Sequence, residues 1–191
     1  MDNPPIFDPL LEPLSDIQKW MESCACPWMV IGGLAVGLLA KPRFTADVDI
    51  VIIIEEENLQ KILESAEKHG FNARIKNAFE FARQNRVMLL VHTKSGIKID
   101  VSLGILPFEK EAIERSKPHR VGKTTIHLPI PEDLIVFKAV AHRPQDLMDI
   151  RTIVEQHPRI DKERVLKTIK DFSILLEMPE ILKDAKDILR S

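Results

Sequence analysis

Cysteine is scarce in this 191-residue chain: Cys24 and Cys26 are the only two. Two thiols this close together exclude a disulfide framework, and with no histidine nearby the expected reading is a pair of buried free thiols. Aromatic residues make up only 5%. Charge of one sign is also missing, since 27 basic against 29 acidic residues leave −2. A protein coated in positive charge is thereby excluded, although a local basic surface is not. No long hydrophobic run occurs. The longest, Trp28 to Ala40, covers 13 residues and stops at Lys41-Pro42, short of the roughly 20 that a membrane-spanning helix needs. Met1-Asp2-Asn3-Pro4-Pro5 lacks the positive region and apolar core of a secretory signal, so a cytoplasmic protein is expected. The six histidines are scattered without metal-ligand spacing. What remains, 45% apolar and 29% charged, is the balance of a soluble globular protein able to bury an ordinary core.

Prolines 4, 5, 9 and 13 suggest an extended arm over residues 1–13, with Ser15 capping a first helix to about Cys24. Trp28 to Ile31 reads as a short buried strand, broken by Gly32-Gly33 and followed by a short helix that Pro42 stops. Val48 to Ile54 is β-branched apart from Asp49, as in a strand covered on both faces. Glu56 to His69 has helical periodicity and ends at Gly70. Val87–His92 and Ile97–Ser102 flank Thr93-Lys94-Ser95-Gly96 as a hairpin, and Thr124–Leu128 is a further strand. From Pro131 the pattern turns helical: one helix to Arg143-Pro144, a second capped by Asp146, and two shorter ones near 161–170 and 179–190. The expected class is α/β (α+β), a small mixed sheet flanked by helices. The expected division is a core at 1–130 with a helical C-terminal subdomain at 131–191 packed on it.

Chemistry concentrates in Asp47-Val48-Asp49, which follows Gly32-Gly33 after 13 residues. Residues two apart on a strand share a face, so Asp47 and Asp49 stand side by side, leading into an apolar strand. Neighbouring carboxylates there are costly unless a cation or donors compensate them, and hard divalent cations prefer carboxylate oxygens. Asp100, in Lys98-Ile99-Asp100-Val101, is the candidate third ligand. Three carboxylates from two adjacent strands suit two Mg2+ ions, with Mn2+ as a substitute, in phosphoryl or nucleotidyl transfer. Gly32-Gly33 between strand and helix suits close approach of a phosphate to the helix N-terminus.

Taken together, Gly-Gly, Arg43-Phe44-Thr45-Ala46-Asp47-Val48-Asp49 and Asp100 resemble the nucleotidyltransferase superfamily related to DNA polymerase β. The pattern GG … R-x-T-x-D-x-D-I is closest to the AbiEii-type nucleotidyltransferases, the toxin side of toxin–antitoxin pairs. Downstream, Pro131 to Lys138 matches their P-x-D-L-x-x-x-K segment and Asp146-Leu147-Met148-Asp149 their D-L-x-D helix, so the resemblance spans about residues 28–156. It implies a metal-dependent enzyme that moves an NMP from an NTP such as ATP to an acceptor hydroxyl. Asp47, Asp49 and Asp100 would hold the metals, and Asp100 would activate the hydroxyl. Gly32 and Gly33 would cradle the triphosphate, Lys138 would contact phosphate, Asp149 would organise the site, and Arg43 and Thr45 would shape the loop into the strand. One departure stands out: many members carry Gly-Ser where this chain has Gly32-Gly33.

Residues 68–98 hold seven Lys/Arg and one acid, Glu80, a local +6 that leaves −8 for the rest. With Phe71, Phe79 and Phe81 among them, these cations suit a tRNA or other RNA acceptor; a solvated surface with core phenylalanines is the plainer alternative. The resemblance also implies an antitoxin protein as a partner. A non-catalytic nucleotide- or partner-binding protein that keeps the fold is the rival reading.

Overall fold

The computed structural model describes residues 4–190. Its centre is a five-stranded mixed sheet of β1 (Trp28–Ile31), β2 (Asp47–Ile52), β3 (Phe71–Ala73), β4 (Val87–His92) and β5 (Lys98–Leu103), in spatial order β1-β2-β5-β4-β3. β2 and β5 run parallel, and every other pairing is antiparallel. A separate hairpin joins β6 (Lys117–Val121) to β7 (Thr124–Leu128). The helices are α1 (Leu11–Ser23), α2 (Gly32–Leu39), α3 (Leu59–Lys68), α4 (Ala78–Asn85), α5 (Pro107–Arg115), α6 (Pro131–Ala141), α7 (Pro144–Gln156), α8 (Lys162–Leu175) and α9 (Pro179–Arg190).

Alternation along the strands decides which face is buried. Val30, Val48, Ile50, Ile52, Met88, Leu90, Ile99 and Val101 enter the main core with Trp20, Leu59 and Phe71. The opposite face buries only Met29 and Val51, against Ala112 of α5, with Ile31, Phe108 and Phe137 partly covered beside them. That second face is covered at one end, and Asp47, Asp49 and Asp100, each half-buried, stand at the other. β2 is therefore apolar on both faces only in its second half, as its sequence D-V-D-I-V-I dictates.

Several expectations need correction. Residues 4–13 are not an extended arm: Pro5–Leu10 forms a 3-10 helix leading directly into α1, and Phe7 and Leu10 are buried. Residues 1–3 of that expected arm lie outside the described residues. Proline tolerates the first turn of a helix, where its missing N–H has no partner to lose, so Pro13 sits inside α1 and Ser15 is no cap. Asp146 is not the N-cap of α7 but its third residue, closing a capping box on Arg143. α8 runs to Leu175 rather than 170. Cys26 is buried but Cys24 only half so, and burial together with the Cys24 thiol pushes the Cys26 thiol up to about 11.

Candidate functional site

The sheet register assembles the site. Ile31 faces Asp49 across β1–β2, Asp49 faces Asp100 across β2–β5, and Asp100 faces Leu89 across β5–β4. Facing residues share a side of the sheet, so the two carboxylates, 51 positions apart in sequence, stand side by side with Asp47 next along β2. Gly32 at the start of α2 makes room for them. Its φ is +67°, and a Cβ there would lie 1.9 Å from Asp49 Oδ2, so only glycine fits. A Cβ on Gly33 would instead meet Arg43 Nη2 at 2.9 Å and Thr45 Oγ1 at 3.1 Å.

The loop into β2 is ordered by its own side chains. Thr45 Oγ1 donates to Asp47 Oδ1 at 2.9 Å, and Arg43 Nη2 donates to Asp149 Oδ2 at 3.0 Å. Asp149 belongs to a buried ion cluster between α6 and α7. Lys138 Nζ, 4% exposed, lies 2.9 Å from both Asp146 Oδ1 and Asp149 Oδ2. Gln145 Nε2 donates to Asp149 Oδ1 at 3.1 Å, while Arg143 Nε donates to Asp146 Oδ2 at 2.7 Å. Thus the Arg43–Asp149 pair fastens this cluster of the C-terminal helices to the loop that enters β2. Lys138, expected to contact phosphate, has its amine between these two carboxylates.

Electrostatics separate the two groups of acids. Burial, then the charges of Asp47 and Asp100, push the Asp49 carboxyl up to about 6, with Lys138 and Arg143 opposing. Asp100 is also raised, by burial first and by Asp47, against the pull of Arg74 and Lys98. At Asp146 burial acts upward too, but hydrogen bonds from Arg143 and Lys138 outweigh it and hold the group below its usual range. The β2–β5 acids are undercompensated, which is the condition a divalent cation relieves. The donor chemistry fits such an ion, being carboxylate oxygen throughout. Among the described residues, however, no three His, Cys, Asp or Glu side chains are grouped closely enough to hold one as they stand. Asp100 is instead paired with Arg74 Nη2.

The basic stretch looks different once folded. Phe71 is fully buried and stacks between Trp20 and His92, unavailable to a base. Four of the seven cations are in ion pairs: Arg74 with Asp100, Arg83 with Glu80, Arg86 with Glu56, and Lys94 with Glu12. Sequence reasoning missed Arg74, Arg143 and Gln145. The first follows a three-residue strand too short to read, and the other two required knowing that Asp149 of α7 pairs with Arg43 in the loop before β2.

The profile of DUF6036, a family described as "nucleotidyltransferase of unknown function", matches residues 9–180. The chain belongs to this nucleotidyltransferase family. No curated protein matches its sequence. Among solved structures, an antigenic nucleotidyltransferase-like protein from Paracoccidioides brasiliensis is similar over 92% of both chains, at 15% identity and a TM-score of 0.53. The antibiotic-resistance factor ANT(2'')-Ia in solution is similar over 90% of this chain and 95% of its own, at 14% identity and a TM-score of 0.59. A crystal structure of ANT(2'')-Ia with adenylyl-2''-tobramycin gives 0.56 over 85% of this chain and 95% of that one, again at 14% identity. These likenesses establish the nucleotidyltransferase fold. The closer resemblance to AbiEii-type enzymes is not among these findings. Among the described residues of this nucleotidyltransferase, no helix is long and apolar enough to cross a membrane.

Proposed function

We propose that this nucleotidyltransferase moves an NMP from an NTP to an acceptor hydroxyl in a reaction dependent on Mg2+ or Mn2+ held by Asp47, Asp49 and Asp100. The observation that carries the reading is the register: Asp49 faces Asp100, Asp47 adjoins them, and Gly32 leaves room for the Asp49 carboxylate against the start of α2. A cation held by Asp47, Asp49 and Asp100 would neutralise charge on the triphosphate and the departing pyrophosphate. The chain's own residues do the rest. Gly32 and Gly33 let the triphosphate approach the N-terminus of α2, whose N–H groups point outward. Asp100 takes the proton of the acceptor hydroxyl as its oxygen attacks the α-phosphorus and the α–β anhydride bond breaks. Thr45 holds Asp47 through its 2.9 Å hydrogen bond. Arg43 and Lys138 act through Asp149, and Lys138 lends positive charge toward Asp49.

An RNA end, tRNA included, is the acceptor this reading places first, supported by the cation surplus of residues 68–98; in that setting the chain would act as a toxin held by an antitoxin protein. A small polyhydroxyl acceptor is the second reading, favoured because Arg74, Arg83, Arg86 and Lys94 are paired with acids. Incubating each of four α-labelled NTPs with Mg2+ and either bulk tRNA or an aminoglycoside tests both. Labelled RNA with wild type and none with Asp47→Asn is expected. Label on the aminoglycoside would favour the second reading, and equal transfer by Asp47→Asn would overturn the site assignment.

A further inference from the structure

The row of facing residues does not end at Leu89. The backbone N–H of Arg74, just beyond β3, donates to the Leu89 carbonyl at 2.9 Å, so Arg74 stands at the outer end of the row Ile31–Asp49–Asp100–Leu89. Asp100 is two strands away, roughly 10 Å, a span that only the longest cationic side chains cross. Arg74 crosses it and pairs through Nη2 with Asp100 Oδ1. The pair is reachable from solvent, since the Arg74 side chain is 25% exposed and that of Asp100 35%. It is also incomplete: Arg74 Nε is buried without a hydrogen-bond partner, which leaves the guanidinium less than fully satisfied in this pose.

We propose that Arg74 is a positioning residue that competes with the divalent cation for Asp100, holding the third carboxylate when the site is empty of substrate and yielding it on loading. The inference rests on the metal-site reading above. The geometry makes the competition direct, because Arg74 is paired with one of the two Asp100 oxygens through which a cation would be held. Strand pairing fixes the Asp100 backbone, and Arg74, the longer of the two side chains, has more rotatable bonds with which to swing aside.

Mn2+ binding to the full chain without nucleotide, followed by electron paramagnetic resonance, reads this independently of activity. Removal of a partly exposed ion pair predicts that Arg74→Gln binds Mn2+ about two- to fivefold more tightly than wild type. Arg74→Lys should stay close to wild type, and Arg74→Gln in an Asp100→Asn background should change nothing. Unchanged or weaker binding by Arg74→Gln, where Asp49→Asn still weakens Mn2+, would overturn the role of Arg74 and leave the metal site standing. If Asp49→Asn leaves Mn2+ binding unaffected, the metal-site reading falls and this inference with it. Should Arg74→Gln fail to fold, the arginine Nε–H resonance lost in Arg74→Lys serves in its place. Mg2+ should shift it in wild type, and a resonance indifferent to Mg2+ would overturn the proposal.

Discussion

Asp133 and Asp49 are both carboxylates set among apolar residues, and the fold treats them in opposite ways. Asp133, on α6, is fully buried. Arg115 Nε from α5 lies 3.0 Å from its Oδ2, and Arg164 Nη1 from α8 lies 3.0 Å from its Oδ1. Its charge is answered from within, and the result is a three-helix fastening. Asp49, on β2, shares its surroundings with two further acids, and burial plus their charges push it up to about 6. A buried charge that the fold completes serves packing; one that the fold crowds and leaves undercompensated is, on the reading proposed above, completed by the cation. The ion cluster of Lys138, Asp146 and Asp149 belongs with the first kind in its bonding, although it stands beside the second.

The largest effect on stability should come from breaking the satisfied site. Asp133→Ala leaves two guanidinium groups without their acceptor and should cost about 2–4 kcal/mol in urea unfolding, with transfer by the folded protein retained. Gly32→Ala forces a Cβ onto Asp49 Oδ2 and a strained positive φ; a loss of about 1–3 kcal/mol is expected, and here transfer should fall as well. Asp49→Asn should act with the opposite sign. Because the folded carboxyl titrates near 6 rather than 3.8, its neutral form supports folding fully below the lower value, and that support is lost as pH rises to the higher one. The asparagine variant should therefore be more stable than wild type by about 1–2 kcal/mol at pH 8 and equal to it below pH 4, read by urea titration at both pH values. Smallest is Arg83→Ala, which removes an exposed pair with Glu80 and should change stability by less than about 0.5 kcal/mol.

Much of this contrast was legible in the chain. The β-branched run after Asp49, the diglycine and the Thr93–Gly96 turn announce β1, β2 and the β4–β5 hairpin, because these depend on local pattern. The start of the chain was legible only in part: the helix ending near Cys24 is α1, but the prolines before it read as an extended arm, whereas Pro5, Pro9 and Pro13 occupy helical turns that bury Phe7 and Leu10. β6, with the sequence K-P-H-R-V, lacks the apolar alternation of a strand and exists only as the partner of β7. For the site, Asp47 and Asp49 declare themselves by spacing, but the partnership of Asp49 with Asp100 comes from a parallel register that no spacing encodes. The pairings of Arg74 with Asp100 and of Asp133 with two arginines likewise belong to tertiary structure. The surplus of cations at 68–98 is legible as a count, but that acids pair with four of the seven is not.

The most direct test of the central contrast is the melting temperature of wild type and Asp49→Asn, each with and without Mg2+ and a non-hydrolysable ATP analogue. A site completed by its ligand predicts that saturating Mg2+ and analogue raise the wild-type midpoint by roughly 3–8 °C and that of Asp49→Asn by less than about 1 °C. Equal shifts in the two proteins would contradict the account, because the carboxylates would then have no part in binding.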